Sequence, residues 1–218
     1  MFIGHYGLAF GIKKAAPQIS LLTLFVAVEF VDILWPFMLL TGVEKVKLSP
    51  GITEVVQFSF EYYPFTHSLL MGVIWGLLAG IVYQLITKDF KSAVIVGLAV
   101  LSHWFLDLIV HIPDLPLTPF GTTKVGMGLW NSLELTLLTE SILFFAGVYL
   151  YVKNTKAIHA KGKWGLWTLI SFFIIANLFN MFGPPLEDSV ITMFVSFTIL
   201  QLILLTLAYI TDKNRVAI

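Results

Sequence analysis

Residues 93–114 read AVIVGLAVLSHWFLDLIVHIPD. The run is apolar from Ala93 to Leu101, and ionisable groups then enter at His103, Asp107, His111 and Asp114. Side chains four apart share a helix face, so His103, Asp107 and His111 form one polar stripe on an otherwise apolar helix. Two imidazoles and a carboxylate in an apolar medium are costly unless they find partners. The stripe therefore predicts that distant parts of the chain bring polar groups to meet it.

The surrounding composition sets the medium. Of 218 residues, 58% are hydrophobic and only 12% charged, far too apolar for a soluble domain. The length accommodates about six spans of ~20 residues. The expected fold is an all-α integral membrane protein with six transmembrane helices plus a short, partly inserted N-terminal helix. Residues 1–218 then form a single polytopic domain, with no internal repeat and the lipid bilayer as its main partner. Thirteen basic and thirteen acidic residues balance, so no basic surface suggests nucleic acid. Cysteine is absent, which removes disulfides and thiolate ligands and leaves His, Asp and Glu for any metal. The first residues lack the basic region and cleavage site of a signal peptide, so the N-terminus is expected to be retained.

Outward from the stripe, residues 2–12 are apolar but too short to span, and Lys13, Lys14 and Pro17 follow. The first full span is expected over 19–40, with Glu29 and Asp32 inside it and Pro36 kinking it near Asp32. Residues 41–65 are a long polar and aromatic connection, too long for a passive turn, and are expected to cover something. The second span runs over 66–87, with Thr66 as N-cap and His67 just inside. The third covers 90–112, and Pro113, Pro116 and Pro119 then impose an extended loop. The fourth (127–152) carries Glu134 and Glu140. The fifth (164–182) is closed by Gly183-Pro184-Pro185, and the sixth (190–210) is featureless apart from Gln201. Gly72, Gly76 and Gly80 make a small-residue surface for close helix packing.

Lysine and arginine placement orients these spans. Ten fall on the N-terminal side and three, Lys45, Lys47 and Lys124, on the other, a strong positive-inside bias. The Lys13/Lys14 junction, the loops after Thr87 and Val152 and the C-terminus are expected on the cytoplasmic side, with the 41–65 and 113–126 loops outside and the first segment entering from outside. At 1.5 Å per residue, His103 then lies ~18 Å and Asp107 ~24 Å above Lys91. His67 reaches ~30 Å, Asp32 ~27 Å, Glu140 ~20 Å and His5 ~12 Å above the nearest cytoplasmic lysine level. Most of these groups share the outer half of the membrane.

A layer of imidazoles and carboxylates from several segments suits a metal centre, with ligands from different elements and room for water. The candidate ligands are His5, Asp32, His67, His103, Asp107 and His111, holding one or two divalent ions, with zinc preferred. Glu140 and Asp107 are the candidate catalytic groups, Glu140 as acid/base or further ligand and Asp107 within the cluster. Glu29 is a neighbour able to share a proton with Asp32. Plainer readings stand beside these. His103 and Asp107 also suit a structural hydrogen-bonded pair, His67 an interfacial histidine and His5 a mobile terminus. His111 and Asp114 suit the wet mouth of the bundle, and Glu134 and His159 open solvent.

The stretches Met1-Phe2-Ile3-Gly4-His5, Asp32-Ile33-Leu34-Trp35-Pro36, Tyr63-Pro64-Phe65-Thr66-His67-Ser68-Leu69-Leu70-Met71 and Ser102 to Leu117 resemble small bacterial membrane proteins of the YdjM-like group of metal-dependent hydrolases. Ala16-Pro17, Gly128-Leu129-Trp130-Asn131-Ser132 and Glu140 fit the same pattern, and the match runs to about residue 186. The ligand order also resembles that of zinc-dependent phospholipase C, which implies His5, Asp32, His67, His103, Asp107 and His111 as metal ligands. The chain departs from these patterns in two places. Only Asp32 precedes Trp35-Pro36, and no His-x-x-x-Glu accompanies Glu140.

The resulting expectation is a hydrolase of the bacterial inner membrane, acting on a phosphoester that is lipid or lipid-linked, with its site toward the outside. The alternatives are a proton- or cation-coupled transporter or channel, or a membrane scaffold with a structural metal.

Overall fold

The computed structural model describes residues 1–184 and 189–218. Pro185, expected to help close the fifth span, lies outside them. The described residues form nine α-helices and three two-stranded antiparallel ribbons. Five helices are long and apolar enough to cross a membrane: α5 (Leu69–Thr87), α6 (Phe90–Val110), α7 (Leu133–Asn154), α8 (Ala160–Phe182) and α9 (Val190–Lys213). A helix pair bent by 52°, α2 (Leu21–Val28) and α3 (Phe30–Leu40), is together long and apolar enough to be either a broken span or a re-entrant loop.

The bend falls at Glu29, not at Pro36 as the sequence suggests; Pro36 lies inside α3. The reason is tertiary. An unbroken helix would give the Val28 carbonyl to the amide of Asp32. Here that carbonyl faces His103 Nδ1 at 2.7 Å, and the Glu29 carboxylate accepts from Gln201 of α9 at 2.9 Å. Two contacts from neighbouring helices thus hold the chain open at Val28–Glu29.

The short N-terminal helix expected to end at the lysines is present as α1 (Ile3–Ala15). It packs within the core, with most of its residues buried. Its thirteen residues are ~20 Å long, too short for a ~30 Å hydrocarbon layer. Protein supplies its surroundings instead: Tyr6 and Phe10 are fully buried against Phe25, Phe144, Tyr151 and Phe173. Gly7 and Gly147 let the backbones of α1 and α7 touch, since a Cβ on Gly147 would collide with the Gly7 carbonyl. Lys13 is drawn inward too, donating to Ile19 O at 2.7 Å and to Asp212 Oδ2 at 3.0 Å.

Residues 41–65 are a structured cover. β1 (Lys45–Leu48) pairs antiparallel with β2 (Phe58–Tyr62), and a one-turn helix α4 (Pro64–His67) follows. Thr66 therefore does not cap the second span. Ser68 does, accepting from the Met71 amide, because the chain breaks at Ser68 between α4 and α5. Behind it, Gly76 and Gly97 bring α5 and α6 so close that a Cβ on either would sit 2.7 Å from the other's carbonyl oxygen, as the glycine spacing implies. The proline loop forms a short ribbon, β3 (Leu115–Pro116) with β4 (Lys124–Val125). The fourth span starts at Leu133 rather than Met127. Gly128 takes a left-handed φ of 75°, a 3₁₀ turn covers 129–131, and the Ser132 hydroxyl accepts from Leu135 N.

The Gly7–Gly147 contact gives a direct test. Gly147→Val should lower stability by about 1–3 kcal/mol or more through overpacking. Gly11→Ala, whose Cβ would meet nothing closer than 3.8 Å, should be tolerated. Thermal unfolding of the two variants in detergent measures the difference.

Candidate metal centre

Four helices converge on one cluster, buried except at Asp32. α1 supplies His5, α3 Asp32, α4 His67 and α6 both His103 and Asp107, with His111 just past the end of α6. Asp107 is the hub. Its Oδ1 lies 3.1 Å from His5 Nε2 and 2.6 Å from the Met1 nitrogen. Its Oδ2 lies 3.1 Å from His103 Nε2, 3.6 Å from His111 Nε2 and 3.9 Å from His67 Nε2. Asp32 Oδ1 lies 3.1 Å from His67 Nε2 and 3.7 Å from His103 Nε2. The rings of His5 and His103 stack at 3.9 Å. Two trios, His5/His103/Asp107 and Asp32/His67/His103, hold their donor atoms within 4.8 Å of one another. Two ligands on a tetrahedral zinc with bonds of ~2.1 Å stand ~3.4 Å apart, so these separations suit such an ion.

Hydrogen bonding on the far side of each ring assigns the tautomers. His103 Nδ1 faces the Val28 carbonyl, which only accepts, so Nδ1 carries a proton and Nε2 is the nitrogen left to face Asp107 and Asp32. His67 Nδ1 lies 2.7 Å from Thr66 Oγ1, whose hydroxyl donates to Glu44 Oε2 at 2.6 Å; the hydroxyl oxygen therefore accepts from His67. His111 Nδ1 lies 2.9 Å from Asp114 Oδ1. Tyr63 also donates to Asp114, and burial, reinforced by the Asp114 charge, pushes its phenol well above the ordinary value, so it stays a donor. Three histidines thus turn Nε2 toward carboxylate oxygens. Among the described residues His103 Nε2 is buried without a well-aligned hydrogen-bond partner. A ring nitrogen so placed either donates to the carboxylate as an imidazolium or shares a cation with it, and the Met1 ammonium already lies 2.6 Å from Asp107 Oδ1. Imidazole fixed through its other nitrogen is the arrangement found around metal ligands.

The remaining expectations divide. His111 is buried rather than wet, because Phe60 of the cover and Trp130 of the 3₁₀ turn close over its ring. Asp114, too, is bonded to it rather than free in solvent. Glu140 is buried, but its Oε2 accepts from the amides of Phe2 and Gly4 and so caps α1, which has no side-chain cap of its own. It belongs to neither trio, though it lines the same cavity of about 160 Å³ as Glu29, Asp32, His67, Asp107 and His111. Glu29 is held by Gln201, which itself accepts from Tyr6 OH at 2.8 Å. Glu134 and His159 are exposed, as expected.

Sequence reading missed Glu44, Thr66, Tyr63 and Gln201. Glu44 looked like a loop charge. It is buried and accepts from the amides of Phe65 and Thr66, holding α4 and hence His67. No spacing signal links residues 44 and 66; only the Thr66-His67 adjacency hinted at a partner for the ring.

Comparison of the chain with protein-family models, curated proteins and solved structures finds no match in any of the three.

Glu44→Ala should leave two buried amides without acceptors, at about 1–3 kcal/mol. Hydrogen exchange at the Phe65 and Thr66 amides should speed up accordingly, while exchange within α9 stays unchanged.

Proposed function

We propose that the His/Asp cluster holds one or two divalent cations, zinc first among them, and that the chain is a membrane-embedded metal-dependent hydrolase of phosphoesters. The observation that carries this is the set of three imidazoles fixed through Nδ1 with Nε2 turned to Asp32 and Asp107. The imidazole and carboxylate donors favour a borderline metal over calcium or magnesium. The resemblance to the YdjM-like hydrolases rests on the same residues and points the same way.

His67, His103 and Asp32 would hold one ion. His5 and Asp107, with His103 common to both groups, would hold a second, and His111 closes the mouth. A divalent ion there would lower the pKa of a coordinated water toward ~7 and neutralise charge on phosphoryl oxygens. The chain's own groups do the rest. Glu140 fastens the start of α1 and so sets His5. The β1–β2 cover excludes bulk water. Glu29, open to the cavity, is placed to move a proton.

In this reading the long helices cross the inner membrane of a bacterium with the lysine-rich ends in the cytoplasm. Lys13 beside Asp212 at the end of α9, and His5 beside Asp107 two turns deeper, support that layering.

A second reading, a cation-coupled transporter, draws on the break between α2 and α3 beside Asp32, since interrupted helices form ion sites in transporters. Metal-dependent ion flux in proteoliposomes without any hydrolysis would favour it.

Elemental analysis of the detergent-purified protein should find one or two equivalents of metal, lost in His103→Ala and Asp107→Ala. Thr66→Val, which removes the acceptor for His67 Nδ1–H, should weaken metal affinity about 10–100-fold. Hydrolysis of an aryl phosphate ester should stop with a chelator and return with zinc. Absence of stoichiometric metal from the purified protein sinks the proposal.

A further inference from the structure

A second cavity, of about 310 Å³, lies between the β1–β2 cover and helices α8 and α9. That size is at the lower end of ligand pockets, ~300–1,000 Å³. Its walls are mostly apolar, with Leu48, Phe179 and Leu200 among them. It does not stand alone. Val55, Val56, Phe58, Ala176, Phe197 and Leu200 border both this cleft and the cavity of the His/Asp cluster. The two spaces thus share a wall, one end ionisable and the other hydrocarbon. Trp35, 5% exposed, lines the cluster's cavity, and its ring meets Phe197 of the shared wall at 5.4 Å. Among the described residues its buried indole Nε1 has no hydrogen-bond partner, and an unmet buried donor is costly.

From this continuity we infer that the α8–α9 cleft binds one hydrocarbon chain of a lipid whose phosphoester head lies at the His/Asp cluster. The inference rests on the hydrolase reading for the head group and on the cleft alone for the chain. A lipid is the occupant that matches both ends at once. A water-soluble phosphoester would leave the apolar cleft unused, and a fatty acid would not call on a cation cluster. α8 and α9 are long and apolar enough to border hydrocarbon, so a chain can enter sideways between them without crossing water. The Trp35 N–H then meets an ester oxygen of the lipid at the point where the chain leaves the head.

The test uses the full chain with its metal in phosphatidylcholine vesicles containing a phosphatidate that carries a diazirine at the tail end. After irradiation, adducts are mapped by peptide mass spectrometry. They are expected on Leu48, Phe179 and Ser196, which line the cleft and not the cluster's cavity, and should fall about ten-fold, the equivalent of ~1.4 kcal/mol, when Ala176→Trp fills the cleft. Val56→Trp, on the cover side, is the second filling variant if the first does not fold. A comparable fall is expected when the diazirine sits on a diacylglycerol without phosphate, and a smaller one in Trp35→Phe. Adducts confined to outward residues such as Ile199 and Leu202, and indifferent to both filling variants, overturn the inference; equal labelling by the diacylglycerol overturns the link to the cluster. Metal content of the same sample separates the two failures. Metal without cleft adducts removes the lipid site alone, and cleft adducts without metal remove the hydrolase reading alone.

Discussion

The buried carboxylate of Asp107 is the constraint on which the rest of the structure depends. It faces imidazole nitrogens from α1, α4 and α6 and the start of the α6–α7 connection, all within 4 Å. A carboxylate at 2% exposure is tolerable only among groups that stabilise its charge. Several unusual features serve that end. α1 is carried into the core so that His5 arrives; α2 and α3 part so that the Val28 carbonyl can hold His103; α4 is wound for one turn so that His67 meets Asp32.

Each supporting contact lies one step further from the centre and is itself buried. Glu44 holds Thr66, which holds the His67 ring; Asp114 holds the His111 ring; Glu140 holds the first turn of α1. Polar groups linked in this way fix geometry because each one lost leaves its neighbour unsatisfied in a low-dielectric interior. The α1–α7 packing plays the matching part in the apolar region, where aromatic rings from α1, α2, α7 and α8 interlock around Phe10 and Phe173. The cluster is thus carried by a rigid body below and by a hairpin cover above.

Much of this was legible in the chain. The long apolar runs mark α5 to α9 to within a few residues, and the four-residue spacing of His103, Asp107 and His111 marks one face of α6. Depth counting puts Asp32, Asp107 and His67 at similar levels, ~24–30 Å, and these do meet, whereas it leaves His5 at ~12 Å although its ring lies 3.1 Å from Asp107. The errors have physical causes. Pro36 is a local signal for a kink, but the bend follows hydrogen bonds from His103 and Gln201, which lie 70 or more residues away in the chain. Thr66 has cap chemistry, but Glu44 and His67 claim its hydroxyl. The short length of α1 suggested a marginal helix, and nothing local announces that Gly7 will seat against Gly147.

By itself the sequence determined the helical class, the apolar surroundings and the kinds of side chain available to a centre, because hydropathy and helical periodicity are local properties read over ~20 residues. Tertiary structure alone decided which imidazole nitrogen faces inward, which carboxylates bind rings and which bind backbone amides, and where the α2–α3 pair bends. Those choices depend on hydrogen bonds between residues far apart in the chain, and no local pattern encodes the partner at the other end.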